Sequence, residues 1–171
     1  LGEFLTASPF DGINVKIPYK KDVIPYCSAL SDDARRIGSV NTIIRTENGL
    51  YGDNTDCFGF RWMVKRSGCS VRGKKAIILG SGGASLTAQD VLKNLGAREI
   101  RVISRTGKDN YENISRHYDA DIIVNATPVG MYPNNGERLI RLEDFRNCSC
   151  VLDIIYNPAL TGLLLDAERL G

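Results

Sequence analysis

A glycine-rich loop stands between a short apolar run and a helical segment near the middle of the chain. The apolar run covers residues 76–79, the helical segment covers 86–95, and the loop contains Gly80, Ser81, Gly82, Gly83 and Ala84. Glycines let the backbone approach a pyrophosphate, and a helix N-terminus supplies free N–H groups and partial positive charge. Ser85 replaces the third glycine of G-x-G-x-x-G, so the match is to a variant. A turn that uses glycine for geometry alone is the alternative, but the strand–loop–helix context favours dinucleotide binding.

Three polar residues follow the next predicted strand, which covers 99–104. They are Ser104, Arg105 and Thr106. An NAD-specific site usually has an acidic residue about 20 residues past the loop, where it binds the ribose 2′-hydroxyl. An arginine between two hydroxyls is instead suited to a 2′-phosphate. The alternative is a surface arginine in a turn; the pattern favours NADP as the cofactor.

A lysine and an aspartate in the first third of the chain could handle a proton. Hydride transfer to a carbonyl needs a proton donor, and the reverse reaction needs an acceptor. Lys20 follows a predicted strand, and α/β proteins place ligands at strand ends. Asp56 begins a predicted helix, where the macrodipole favours its ionised form. The alternative for the pair is a surface salt bridge. His117, between two strands, is expected to be a surface residue.

The elements before residue 70 follow from hydrophobic periodicity and capping. Residues 12–18 alternate apolar and polar side chains, which predicts a strand with Asn14 and Lys16 on one face. Residues 19–30 are predicted as helical turns interrupted at Pro25, followed by a short helix through Ile37. A second strand is predicted over 40–46, an extended segment over 50–52, and a longer helix over 56–67.

The second part of the chain has a different pattern. Strands are predicted over 76–79, 99–104, 121–126 and 150–155. Strands that alternate with helical segments form βαβ units and a parallel sheet, so the expected fold class is α/β.

Several sequence blocks together resemble the shikimate dehydrogenase family. They occur in the family's order over nearly the whole chain, and in combination they are far more specific than any one block. The blocks cover residues 14–20, 37–42, 52–56, 80–85, 104–106, 125–128 with 130–131, and 153–158.

The resemblance implies a small α/β substrate domain at residues 1–54, a connecting helix at 55–69 and a Rossmann-like NADP domain at 70–171. It places the active site in the cleft between the domains. It also implies reduction of 3-dehydroshikimate to shikimate with NADPH, a step of aromatic amino-acid biosynthesis, and leaves a homodimer open.

The same resemblance assigns roles to single residues. Lys20 is the implied catalytic proton donor and acceptor, and Asp56 is its partner at the reacting hydroxyl. The implied substrate contacts also include Asn14, Asn41 and Tyr156. Ile154 falls where the backbone approaches the nicotinamide, and Asp32 falls near the cofactor.

The chain departs from the family pattern at two positions. Lys16 stands where the family usually has threonine, and Cys57 replaces a glycine. Lys16 would share the face of Asn14, and there it would bind the substrate carboxylate or make Lys20 more acidic. The alternative is that its long stem carries the ammonium group to water. The family's Ser-x-Ser element and its late glutamine have no counterpart here, so we expect flanking residues outside this sequence.

Composition excludes several other functions. Hydrophobic residues make up 43% of the chain and charged residues 25%, with a net charge of +2, so we expect a folded protein whose main partner is not nucleic acid. No apolar run approaches the roughly 20 residues that cross a bilayer. Five cysteines without a C-x-x-C pair and a single histidine offer no zinc framework. We expect no bound metal, and reduced thiols in a cytoplasmic protein.

Three other functions compete with this interpretation. An NAD-dependent quinate/shikimate dehydrogenase is the nearest, and Arg105 argues against it. A non-catalytic NADPH-binding module would have no use for Lys20 together with Asp56. A tetrahydrofolate-type dehydrogenase of similar layout has no support from the Asn-Thr-Asp block at 54–56.

Overall fold

The structure is a computed structural model that describes residues 1–16 and 18–171. The chain divides into two compact units, Leu1–Gly59 and Phe60–Gly171. The first contains α1 (Gly2–Ala7), β1 (Gly12–Asn14), β2 (Ala29–Leu30), α2 (Asp32–Ile37), β3 (Thr42–Thr46) and β4 (Gly49–Asp53). Helix α3 (Asp56–Arg66) begins in the first unit and ends in the second.

The first unit is built on a mixed four-stranded sheet in the order β1-β3-β4-β2. β3 pairs antiparallel with β1 and with β4, and β2 pairs parallel with β4. Ser31 caps α2 through its side chain, and Gly38 ends that helix in a left-handed conformation. The core consists of apolar side chains from the sheet, the helices and the segments between them: Leu5, Val15, Val23, Ala34, Val40, Ile43 and Leu50.

Two predictions for the first unit need correction. The strand predicted over 12–18 ends at Asn14, although the Val15 N–H still donates to the Asn41 carbonyl, 2.7 Å away. Ile17 lies outside the described residues. The helical turns predicted over 19–30 are wrong at their end: a 3₁₀ turn covers Ile24–Tyr26, and Ala29–Leu30 is a strand because its backbone pairs with β4.

The second unit contains an all-parallel four-stranded sheet in the order β6-β5-β7-β8. Its elements are β5 (Lys75–Leu79), α4 (Gly83–Asn94), β6 (Glu99–Ile103), β7 (Ile122–Asn125), β8 (Cys150–Asp153) and α5 (Gly162–Leu170). β5 lies between β6 and β7 and confirms the strand predicted over 76–79; it is buried along its whole length, as an apolar run in a parallel sheet should be. The predicted α/β fold class is therefore confirmed.

The connections in the second unit differ from one another. An α-helix, α4, joins β5 to β6, whereas the segments before β7 and β8 contain the 3₁₀ turns Ile114–His117 and Leu142–Asp144. His117, expected at the surface, is only 6% exposed. That expectation is wrong because the 3₁₀ turn directs the ring inward, where Nε2 lies 3.2 Å from Asp109 Oδ1.

Two further properties concern the chain as a whole. None of the helices among the described residues has both the length and the apolar character needed to span a bilayer. None of the five cysteines forms a disulfide.

Candidate active site

Lys20 and Asp56 form an ion pair in the first unit. Their Nζ and Oδ2 atoms are 2.8 Å apart, and the two side chains are 20% and 44% exposed. The pair joins residues 36 positions apart in sequence. An exposed ion pair contributes little to stability, but it fixes the direction of an ammonium group that remains accessible to a ligand.

Backbone and side-chain hydrogen bonds hold both members of this pair. The Lys20 carbonyl accepts from the Val40 N–H at 2.8 Å. Asn54, which is only 2% exposed, accepts from the Asp56 N–H at 3.2 Å and donates to the Ser39 carbonyl at 2.9 Å. Asn54 therefore satisfies one N–H at the start of α3 and connects that helix to the segment before β3.

Asn41 occupies the junction between β3 and the start of α3. Its Oδ1 accepts from the Thr55 N–H at 3.0 Å and from the Thr42 hydroxyl at 3.0 Å, and its Nδ2 donates to Thr55 Oγ1 at 3.1 Å. The Asn41 N–H donates to the Asp53 carbonyl at 3.0 Å. These bonds fix the orientation of the Asn41 amide. Asn41 is also close in sequence to Ser39, which accepts from the Asn54 side chain that holds the Asp56 N–H.

Two further residues expected at the substrate are exposed. Asn14 ends β1, Lys16 follows two positions later, and Val15 between them is buried. The exposed–buried–exposed sequence agrees with one shared face for Asn14 and Lys16, although the strand itself ends at Asn14.

The glycine loop of the second unit lies between β5 and α4. Gly80 has a φ of +99°, and a Cβ at this position would lie 2.8 Å from Thr127 Cγ2 and 3.0 Å from the Ala126 carbonyl oxygen. Only glycine fits there without strain. Ala126 and Thr127 follow β7, which is the neighbour of β5 in the sheet. The strand order of the sheet reverses at this pair of strands, and such switch points are where open α/β sheets bind ligands.

The start of α4 offers free N–H donors. Gly82 is the N-cap residue, no described side chain caps the helix, and a Cβ at Gly82 would meet no described atom within 4 Å. Ser81 and Gly82 are exposed, and Gly83 and Ala84 are half-buried. Free N–H groups and the positive end of the helix dipole therefore face open space, which suits a pyrophosphate.

The loop after β6 presents Arg105 to solvent. The loop is closed by the Ser104 N–H, which donates to the Asp109 carbonyl at 3.2 Å. Arg105 and Thr106 are exposed, and Ser104 is half-buried. Burial raises the pKa of the Tyr111 hydroxyl, and the charge of nearby Arg105 opposes that rise. The guanidinium group is thus available to an anion at the carboxyl end of the sheet.

The remaining predicted residues have varied environments. Ile154 follows β8, and its N–H donates to the Asn125 carbonyl at 3.2 Å. Tyr156 is 90% exposed. Asp32 belongs to the first unit, where it lies in the first turn of α2, 95% exposed and 3.9 Å from Arg35.

Sequence reasoning missed a buried polar network after β7 and β8. Asn125, Asp153 and Thr161 are 2%, 7% and 1% exposed. Asp153 Oδ2 accepts from Asn125 Nδ2 at 3.0 Å and from the Thr161 hydroxyl at 2.7 Å. A carboxylate within the strand predicted over 150–155 was the available signal, since strands of a parallel sheet are buried and a buried carboxylate needs several donors.

The family comparison begins with the first unit. Residues 2–43 match the family model for the shikimate dehydrogenase substrate binding domain. The chain is 39% identical over 165 residues to the shikimate dehydrogenase (NADP(+)) of Clostridium beijerinckii, with 90% of this chain and 61% of the relative covered. It is 36% identical over 197 residues to the shikimate dehydrogenase (NADP(+)) of Halothermothrix orenii, with 99% of this chain and 67% of the relative covered. The chain thus spans about three-fifths to two-thirds of the length of these relatives.

A solved structure covers nearly the whole chain. It is shikimate 5-dehydrogenase from Thermus thermophilus in complex with NADP(H) and shikimate, with a TM-score of 0.82, 29% identity, and coverage of 99% of this chain and 67% of that one. A mixed-sheet unit followed by a parallel sheet with a glycine loop defines an α/β protein of the Rossmann-like class. Together with the relatives above, this shows that the chain belongs to the shikimate dehydrogenase family.

Proposed function

We propose that the polypeptide containing this chain interconverts 3-dehydroshikimate and shikimate with NADP(H), a step of aromatic amino-acid biosynthesis. The observation that carries the proposal is the 2.8 Å contact between Lys20 Nζ and Asp56 Oδ2 in a chain of this family. The first unit would bind the substrate, and the second would bind the cofactor. Five cysteines that form no disulfide are in keeping with a reducing compartment such as the cytoplasm.

The residues of the second unit fit NADP. Gly80 leaves no room for a side chain beside Ala126 and Thr127, so the loop backbone lies close to the sheet. The uncapped start of α4 supplies donors for the pyrophosphate, and exposed Arg105 supplies a cation for the 2′-phosphate. When bound, the cofactor supplies or accepts the hydride.

Lys20 is the proposed proton donor and acceptor. In the reduction it donates a proton from Nζ to the carbonyl oxygen of the substrate as that oxygen becomes a hydroxyl, and in the oxidation it accepts that proton. Asp56 holds Nζ by a hydrogen bond and contacts the same hydroxyl. Because the start of α3 stabilises its negative charge, Asp56 is suited to hold the ammonium in one direction.

Substrate recognition is assigned to four further polar side chains. Asn41 has its amide orientation fixed by Thr55, which makes it a preorganised partner for a substrate hydroxyl. Asn14 and Tyr156 are exposed and able to contact a polyhydroxylated acid. Lys16 is proposed to bind the substrate carboxylate, and Lys16→Thr is expected to raise the KM for shikimate.

The test uses the complete purified polypeptide. Shikimate and quinate are each mixed with NADP or NAD, and the absorbance of the reduced cofactor is followed. Turnover of shikimate with NADP supports the proposal. Equal or better turnover of quinate with NAD would identify a quinate/shikimate dehydrogenase instead, and dinucleotide binding without turnover of any pair would identify a binding module.

A further inference from the structure

Asp153 is a buried carboxylate whose described donors are all neutral. Its Oδ2 accepts from Asn125 Nδ2 at 3.0 Å and from the Thr161 hydroxyl at 2.7 Å, and its Oδ1 accepts from the Ile155 N–H at 3.0 Å. The side chain is 7% exposed. A carboxylate in such a place is costly unless its oxygens are well hydrogen-bonded, so the three donors are held tightly around it.

Asn125 extends these contacts to the loop after β7. Its Nδ2 also donates to the Val129 carbonyl at 3.2 Å. Its Oδ1 accepts from the Thr127 N–H at 3.0 Å and from the Thr127 hydroxyl at 2.7 Å. Because Asp153 fixes which end of the Asn125 amide is the donor, it also fixes the acceptor end that holds Thr127.

Thr127 is one of the groups that leave no room for a Cβ at Gly80. The segment after β8 is held by the same two residues, Asn125 and Asp153. The Ile154 N–H donates to the Asn125 carbonyl, and the Ile155 N–H donates to the Asp153 carboxylate. One carboxylate therefore controls the backbone of two segments at the carboxyl edge of the sheet: the segment in contact with the glycine loop and the segment that contains Ile154.

We infer that Asp153 is a positioning residue for the dinucleotide: through Asn125 and Ile155 it sets the shape of the loops after β7 and β8. This inference rests on the proposed function, because it requires a dinucleotide at the carboxyl edge. Asp153 acts through other residues and is not itself a catalytic residue.

The opposite end of β7 provides a matched control. Asp121 precedes β7, accepts from the Lys75 N–H at 2.8 Å and pairs with Lys74 at 3.0 Å. It is an aspartate on the same sheet that also accepts a backbone hydrogen bond, but it lies at the amino ends of the strands. Asp121→Asn should therefore lower stability without altering cofactor binding.

The experiment compares Asp153→Asn with Asp121→Asn in the complete polypeptide. Both oxygens of Asp153 accept hydrogen bonds, so in Asp153→Asn the new N–H₂ group must face at least one of these donors. The Asn125 amide and the loops after β7 and β8 then lose their fixed positions. We expect the Kd for NADPH, measured by fluorescence titration, to rise roughly tenfold, while the KM for shikimate changes less than about twofold. Thr161→Val removes only one donor and should raise the Kd less, whereas Thr161→Ser should leave it unchanged.

The double variant Asp153→Asn with Asn125→Asp exchanges the carboxylate and the amide. Its loss of binding free energy for NADPH should be smaller than the sum of the losses in the two single variants, because one amide–carboxylate hydrogen bond is restored. If Asp153→Asn and Thr161→Val lower Tm but leave the Kd for NADPH within twofold of wild type, Asp153 is only structural and the inference is overturned. A wild-type protein that binds no dinucleotide at all would instead overturn the proposed function, and the inference with it.

Discussion

The candidate sites of the two units are built in different ways. In the first unit the proposed reactive groups are side chains, an ammonium and a carboxylate 2.8 Å apart that remain partly exposed. In the second unit the proposed cofactor-binding surface is mostly backbone, shaped by Gly80 and held by a buried network around Asp153. Changes in the first unit should therefore alter turnover, whereas changes in the second should alter cofactor affinity.

The largest effect is expected at Lys20. Lys20→Ala removes the proposed proton donor, so kcat should fall by roughly 10²- to 10⁴-fold, with the Kd for NADPH unchanged. Steady-state kinetics and fluorescence titration measure the two quantities. Lys21→Ala, which removes the exposed neighbouring lysine, is the matched control and should behave like wild type. A loss of less than tenfold in Lys20→Ala would assign the proton transfer to another group.

Gly80→Ala tests the backbone shape of the second unit. A left-handed φ and contact with Thr127 should together cost about 1–3 kcal/mol of stability, and the displaced loop should weaken NADPH binding roughly 100-fold. Denaturant unfolding and fluorescence titration provide the two measurements.

Gly68→Ala separates the strain of a left-handed φ from the effect of a Cβ that contacts a neighbouring segment. Gly68 has a φ of +72° with no described atom within 4 Å of a Cβ, so alanine there should cost about 1–2 kcal/mol and leave the affinity for NADPH unchanged. If Gly68→Ala and Gly80→Ala weaken NADPH binding equally, the loss reflects general destabilisation rather than the shape of the glycine loop.

Arg105→Ala tests cofactor choice. Loss of charge-assisted hydrogen bonds to the 2′-phosphate should raise the KM for NADP about 10- to 100-fold, while the KM for NAD stays nearly constant. Arg116→Ala, another exposed arginine of the same unit, should leave both values unchanged. Parallel changes in both KM values would show that Arg105 does not distinguish the cofactors.

The smallest effect is expected at Asp121. Its hydrogen bond from the Lys75 N–H, followed by the bond from Lys74, lowers the pKa of the Asp121 carboxyl. A carboxyl whose pKa is lower in the folded state stabilises the protein above its unfolded pKa of about 3.9, and this stabilisation is lost as the pH falls through the folded value.

Asp121→Asn should thus cost about 1 kcal/mol at pH 7 and progressively less in acid. Urea unfolding at several pH values measures the difference. A constant difference across pH would show that the charge of Asp121 does not contribute.

Local patterns were enough to locate several features of the fold. The apolar run of β5, the loop that follows it and the short helix α2 through Ile37 each depend on neighbouring residues, so the sequence predicts them. Two extended segments of the first unit depend on distant partners, and the sequence does not predict their bounds. Ala29–Leu30 is a strand only because β4 lies beside it, and β1 ends where its pairing with β3 ends.

The amino-acid sequence by itself determined the α/β class, the glycine loop, the arginine after β6 and, by family resemblance, the choice of Lys20 and Asp56. Only the tertiary structure decided that Lys20 and Asp56 are in contact, that His117 is buried, and that Asp153 connects the loops after β7 and β8. The reason is physical: capping and periodicity act over a few residues, whereas burial and hydrogen bonding join groups 28 or 36 positions apart.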